Sequence, residues 1–122
     1  MKDNVLLDKS FAFAMRVVKA YKYLVEEKKE FVMSKQFLRS GTSIGANVEE
    51  SVGGQSTPDF LSKLSIAYKE ARETRYWIRL LASGNYFGES QANSLLLDVD
   101  ELLKIIGKIQ ITTKKNAAIG KS

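Results

Sequence analysis

Apolar residues recur along the chain in alternating steps of three and four, the spacing of one face of an α-helix. In a first segment the series is Leu7, Phe11, Ala14, Val18, Tyr21 and Val25. In a second it is Phe37, Gly41, Ile44 and Val48, and in a third Phe60, Leu64, Ala67, Ala71, Thr74, Ile78 and Leu81. A fourth carries Leu95, Val99, Leu102, Ile106 and Ile109. No stretch of any length alternates at the period of two that a half-buried strand requires. The breaks carry start and stop signals. The first helix runs out in "EEKKE", and Ser34 can cap the second. Thr57 reads as the N-cap of the third, with Pro58 at its first position and Asp59 near the positive end of the dipole. Gly84 reads as its stop, and Ser90 as the cap of the fourth. Four helices joined by short loops predict an all-α fold, an antiparallel up-down-up-down bundle packed with left-handed crossings. Residues 1–115 read as one bundle domain and 116–122 as a flexible basic tail.

The first helix carries more apolar surface than one core face uses. Leu6, Phe13, Val17, Ala20 and Leu24 form a second stripe about 100° from the first. Ile66, Trp77 and Leu80 lie off the main stripe of the third helix, and Leu103 and Ile105 off that of the fourth. Two readings fit: a wide core face, or a surface buried against another subunit. The length of the stripe on the first helix favours the second. Phe13, Val17, Leu24 and, across the contact, Trp77 are then the candidate interface residues.

The second helix is unusually thin. Gly41 and Gly45 stand at or beside its core stripe, although glycine costs a helix about 1 kcal/mol against alanine. Small residues there let another backbone approach closely. Ser40, Asn47 and Ser51 share one edge of the stripe, with Glu50 a turn from Asn47. Half-buried polar groups need hydrogen bonds, so this edge reads either as a polar clasp beside a close contact or as an ordinary solvated face.

Composition then narrows the chemistry. The 122 residues include no cysteine and no histidine. That excludes disulfides, thiolate and imidazole metal ligands, and nucleophiles activated by histidine. Glu70 and Glu73 are one turn apart, but no Glu-x-x-His pair completes a di-metal site. The expectation is a non-enzymatic protein with no metal and no cofactor, in which Glu50, Glu70 and Glu73 form salt bridges within or between subunits. No apolar run approaches the roughly 20 residues that span a bilayer. Acidic residues interrupt the early apolar stretch, unlike a signal peptide. The chain reads as cytoplasmic, without a membrane partner.

Net charge is +5, which permits a polyanionic partner without demanding one. Arg72, Arg75 and Arg79 form a stripe on the third helix with Tyr68 and Tyr76 beside it. Lys2, Lys9 and Arg16 recur every seven residues on the first, and Lys104, Lys108, Lys114 and Lys115 charge the end of the fourth. Arginine pairs bidentately with phosphate and stacks on bases. These residues make RNA or DNA a candidate partner, bound without sequence preference because no base-reading motif appears. The plain alternative is solvated charge with local ion pairs such as Lys69 with Glu73.

The stretch "FLRSGTSIGANVEES" resembles the signature Ser-Ile-x-x-Asn-Ile-x-Glu-Gly of the four-helix proteins encoded in intervening sequences of bacterial 23S rRNA genes. Ser43, Ile44, Asn47, Val48 and Glu50 fit that pattern, and Ser51 stands where glycine is usual. "AYKEARETRYWIRLL" resembles the family's third helix, with Ala67, Glu70, Ala71, Glu73 and Trp77 in register, and "ELLKIIGKI" its closing helix. The resemblance runs from about Phe11 to Lys115. It implies an antiparallel bundle that assembles as a homopentamer. The accessory proteins of diversity-generating retroelements are similar, which implies nucleic-acid binding and, as the alternative, a partner protein such as a reverse transcriptase without direct nucleic-acid contact. For most of the family no biochemical activity is established.

Overall fold

The computed structural model describes residues 2–120, with side chains from Val5 to Gly120. These residues form four helices and no strand: α1 (Lys2–Glu26), α2 (Met33–Val52), α3 (Thr57–Ser83) and α4 (Glu89–Ala118). Helix α4 thus continues into the segment expected to be a tail. Lys2, the first member of the basic heptad series, lies outside the described side chains, as do Lys121 and Ser122.

The helix starts differ from expectation for local hydrogen-bonding reasons. Helix α3 is capped one residue earlier than predicted, by Ser56, whose hydroxyl accepts from the Asp59 backbone N–H at 3.2 Å. Helix α2 is capped by Glu30 rather than by Ser34. The Glu30 carboxylate accepts from the backbone N–H groups of Val32 (3.2 Å), Met33 (3.1 Å) and Ser34 (2.6 Å). The Ser34 hydroxyl returns a bond to the Glu30 carbonyl at 2.7 Å. Burial opposes the charge on Glu30, but these donors outweigh it and lower the carboxyl pKa. At α4 the cap position is Gly88, two residues before Ser90. Gly84 does close α3, yet the left-handed residue of that turn is Asn85, at φ 66°.

On three helices the predicted stripes are the core, apart from Phe60 and Ile109, which are partly buried against it. Phe37, Gly41, Ile44 and Val48 are buried on α2, and Leu64, Ala67, Ala71, Thr74, Ile78 and Leu81 on α3. Leu95, Val99, Leu102 and Ile106 are buried on α4. Phe87, in the α3–α4 loop, closes one end and meets Phe37 edge-on with ring centroids 5.7 Å apart.

On α1 the second stripe forms the core, while the first is partly buried at Leu7, Ala14, Tyr21 and Val25 and exposed at Phe11 and Val18. Leu6, Phe13, Val17, Ala20 and Leu24, expected at a subunit surface, are buried inside the chain. Phe11 and Val18, expected in the core, are 61% and 43% exposed, with Met15 beside them at 56%. Phe13, Val17 and Leu24 therefore have no surface left for a partner. Periodicity alone cannot choose between two apolar stripes on one helix; the facing helix chooses. A Cβ added at Gly41 would stand 2.7 Å from a Val17 methyl carbon, and one at Gly45 3.3 Å from the Ser10 carbonyl oxygen. The thin helix is thin so that α1 of the same chain can lie against it.

Candidate nucleic-acid interface

Period 3.6 places residues 68, 72, 75, 76 and 79 along the flank of α3 that adjoins its buried stripe. Tyr68, Arg72, Arg75, Tyr76 and Arg79 line a cleft of about 410 Å³ with Leu103 of α4. Arg75 is fixed from below, its Nε donating to Asp100 Oδ1 at 2.8 Å. Its two terminal nitrogens have no protein partner among the described residues. Arg72 and Arg79 are exposed and have no ion pair there. The Tyr68 ring lies over Gly107, where an added Cβ would stand 3.7 Å from it. Tyr76 is more than half exposed and meets Trp77 edge-on, centroids 5.1 Å apart. A groove with unpaired guanidinium groups and accessible aromatic rings suits a phosphate backbone with stacked bases.

Lys9 and Arg16 do not join this cleft. They face the opposite flank of α4, Lys9 3.3 Å from Glu101 and Arg16 2.6 Å from Asp98. Arg16 also donates to the Ser94 hydroxyl at 2.9 Å. Helix α4 stands between them and the α3 arginines, and each is paired with one of its carboxylates. The seven-residue step from Lys9 to Arg16 matches the step from Ser94 to Glu101, a complementarity that the sequence contains.

The carboxylates of the predicted motif hold helices together. Arg39, on α2, reaches Glu70 at 3.2 Å and also binds Glu73, both on α3. The Trp77 indole N–H donates to Glu73 at 3.0 Å. This bond first, and Arg39 after it, lower the Glu73 pKa against its partial burial. The Glu73 hydrogen bond in turn raises that of Arg39. Beneath lies a buried hydroxyl pair, Ser40 and Thr74, 2.9 Å apart. Glu50 pairs with Lys63 at 2.8 Å. Asn47 donates to the Ser43 carbonyl at 2.9 Å within its own helix, and Ile44 is fully buried. The clasp therefore joins α2 to α3 within the chain, and Arg39, its centre, is absent from the residues singled out by sequence. Trp77 is half-buried and committed to it.

A larger depression, about 570 Å³, opens at one end of the bundle between Val5, Phe60, Ile105 and Ile109. Among the described residues Lys108 is its one charged lining group, and they supply no pair of groups for acid–base work. Among the described residues no cluster of acidic groups suits a metal ion, and no helix is long and apolar enough to cross a membrane.

Residues 2–108 match the family described as 23S rRNA-intervening sequence protein. The chain is similar, at 55% identity and TM-score 0.89, to the crystal structure of a protein with unknown function from the S23 ribosomal protein family of Bacteroides thetaiotaomicron VPI-5482. That similarity covers 90% of this chain and 98% of the other. No curated protein matches significantly.

Proposed function

The chain belongs to the 23S rRNA-intervening sequence protein family, and on that premise we propose that it is a non-enzymatic cytoplasmic protein that assembles with copies of itself and binds RNA or DNA without sequence preference. The α3–α4 cleft is the binding surface in this reading. The observation that carries it is the pair Arg72 and Arg79, exposed and free of ion pairs among the described residues, in one groove with Tyr68 and Tyr76. Self-association rests on a different face. Phe11, Met15 and Val18 follow one another at steps of four and three on the outside of α1, an apolar stripe of the kind that partners cover. The homopentamer is the form implied by the family resemblance. Adjacent helices pair residues whose numbers rise on one and fall on the other, as with Ser10 at Gly45 and Val17 at Gly41, which supports the up-down-up-down order.

Fluorescence anisotropy with a labelled oligonucleotide at about 50 mM salt, where electrostatic binding is strong, tests the binding surface. Binding is expected, and Arg72→Glu with Arg79→Glu should abolish it while the melting temperature stays unchanged. Absence of binding by the unaltered protein overturns the proposal.

A further inference from the structure

We infer that the ligand of this surface is a single strand, held along a track that turns around the start of α4 from one of its flanks to the other. The inference rests on the nucleic-acid reading above and extends it beyond the α3–α4 cleft. Arg79 lines that cleft and also an adjoining depression of about 610 Å³ at the end of the bundle, which holds Lys28 and Tyr23. Tyr23 in turn lines a third depression of about 390 Å³ between α1 and α4, with Lys19 and Arg16. Shared side chains, Arg79 and then Tyr23, thus place the three depressions side by side in sequence around α4. Each contributes cations and at least one contributes tyrosine at either end: Tyr68 and Tyr76 with Arg72 and Arg79, then Lys28, then Tyr23 with Lys19. Lys19 and Lys28 are exposed and have no ion pair among the described residues. Glu89 is a carboxylate on the path, lining the same depression as Arg79 and Lys28.

The shape decides the class of nucleic acid. The track reverses around one helix, a body about 10–12 Å across. A duplex is stiff over about 150 base pairs and cannot follow so tight a turn. A single strand bends freely and presents unpaired bases to the tyrosines, the combination by which single-strand grooves hold about 4–16 nucleotides without reading sequence.

Anisotropy with the full chain tests this using a mixed-sequence strand of about 16 nucleotides, as RNA and as DNA, and the duplex made from it. The single strands are expected to bind on the order of tenfold tighter than the duplex at equal salt. Lys19→Gln with Lys28→Gln should lower the slope of log affinity against log salt by about 0.7 for each cation lost. Lys35→Gln, on α2 and off the track, should change nothing. Equal affinity for duplex and strand, or an unchanged slope in the Lys19/Lys28 variant, overturns the track. If Arg72→Glu with Arg79→Glu still abolishes binding in that case, the α3–α4 cleft stands as a local site. If no probe binds the unaltered protein, both readings fall.

Discussion

Two seams of the bundle are built from opposite materials. Between α1 and α2 the contact is made by what is missing: Gly41 and Gly45 offer no side chain, so Val17 and the backbone of Ser10 occupy the space. Between α3 and α4 the seam is lined by Arg72, Arg75, Arg79, Tyr68 and Tyr76, which hold a cleft open. The first seam buries apolar surface and excludes water; the second keeps hydrated charge accessible beside aromatic rings. Helices of similar amphipathic pattern thus make either a joint or a binding groove, depending on the size and charge of residues at the edge of the stripe. The joint should therefore be sensitive to added volume and buried charge, and the groove to lost charge alone.

The largest effect is expected from Val17→Glu. It places an unpaired carboxylate in the fully buried joint, which costs at least 3 kcal/mol or so by the usual penalty for an uncompensated buried charge. Circular dichroism should show loss of cooperative unfolding. A folded but dissociated protein would instead restore Val17 to a subunit surface.

Gly41→Ala sharpens the same point. On an exposed helix this change stabilises by about 1 kcal/mol. Here the new methyl group meets a stiff β-branched side chain at 2.7 Å, and overpacking costs about 1–3 kcal/mol. A net loss is expected in thermal melts, and Val17→Ala in the same molecule should recover at least about 0.5 kcal/mol relative to additivity.

The cap of α2 should cost less, about 1 kcal/mol for Glu30→Gln. Because the folded-state pKa of Glu30 is lowered from the ordinary glutamate value, its contribution is complete above that ordinary value. It is lost as pH falls through the lower folded value. Glu73 acts in the same direction. Acid denaturation followed by circular dichroism should therefore be shallower in Glu30→Gln than in the unaltered protein.

The smallest effect on folding is expected on the outer face of α1. Phe11→Glu with Val18→Glu changes exposed positions, where substitutions usually stay within about 0.5 kcal/mol each. Light scattering should nevertheless report dissociated chains at micromolar concentration. An unchanged mass would remove this stripe from the assembly.

The contrast between the seams also explains what could be read from the sequence. Helices α2, α3 and α4 each have one dominant apolar stripe, and those stripes are their cores. Helix α1 has two of comparable strength, and the choice depends on Gly41 and Gly45, residues that show no hydrophobic signal. Their meaning is steric and appears only when the facing helix is known. The groove residues Tyr68, Arg72, Arg75, Tyr76 and Arg79 were legible because they share one helix and one period. Lys9 and Arg16 looked equivalent, but their partners Glu101 and Asp98 lie more than 80 residues away. Asp100 under Arg75, Arg39 across Glu70 and Glu73, and Lys19, Lys28 and Tyr23 beyond Arg79 come from other elements, and no local pattern links them. Glu30 was missed because its capping carboxylate comes from outside the usual cap position.

Photo-crosslinking of a thiouridine-labelled single strand, followed by mass spectrometry of the joined peptides, distinguishes the two seams directly. Crosslinks are expected on the α3–α4 side, at Tyr68 and Tyr76. Crosslinks confined to the α1–α2 side, around Phe11 or Thr42, would contradict the assignment of the open seam as the nucleic-acid surface.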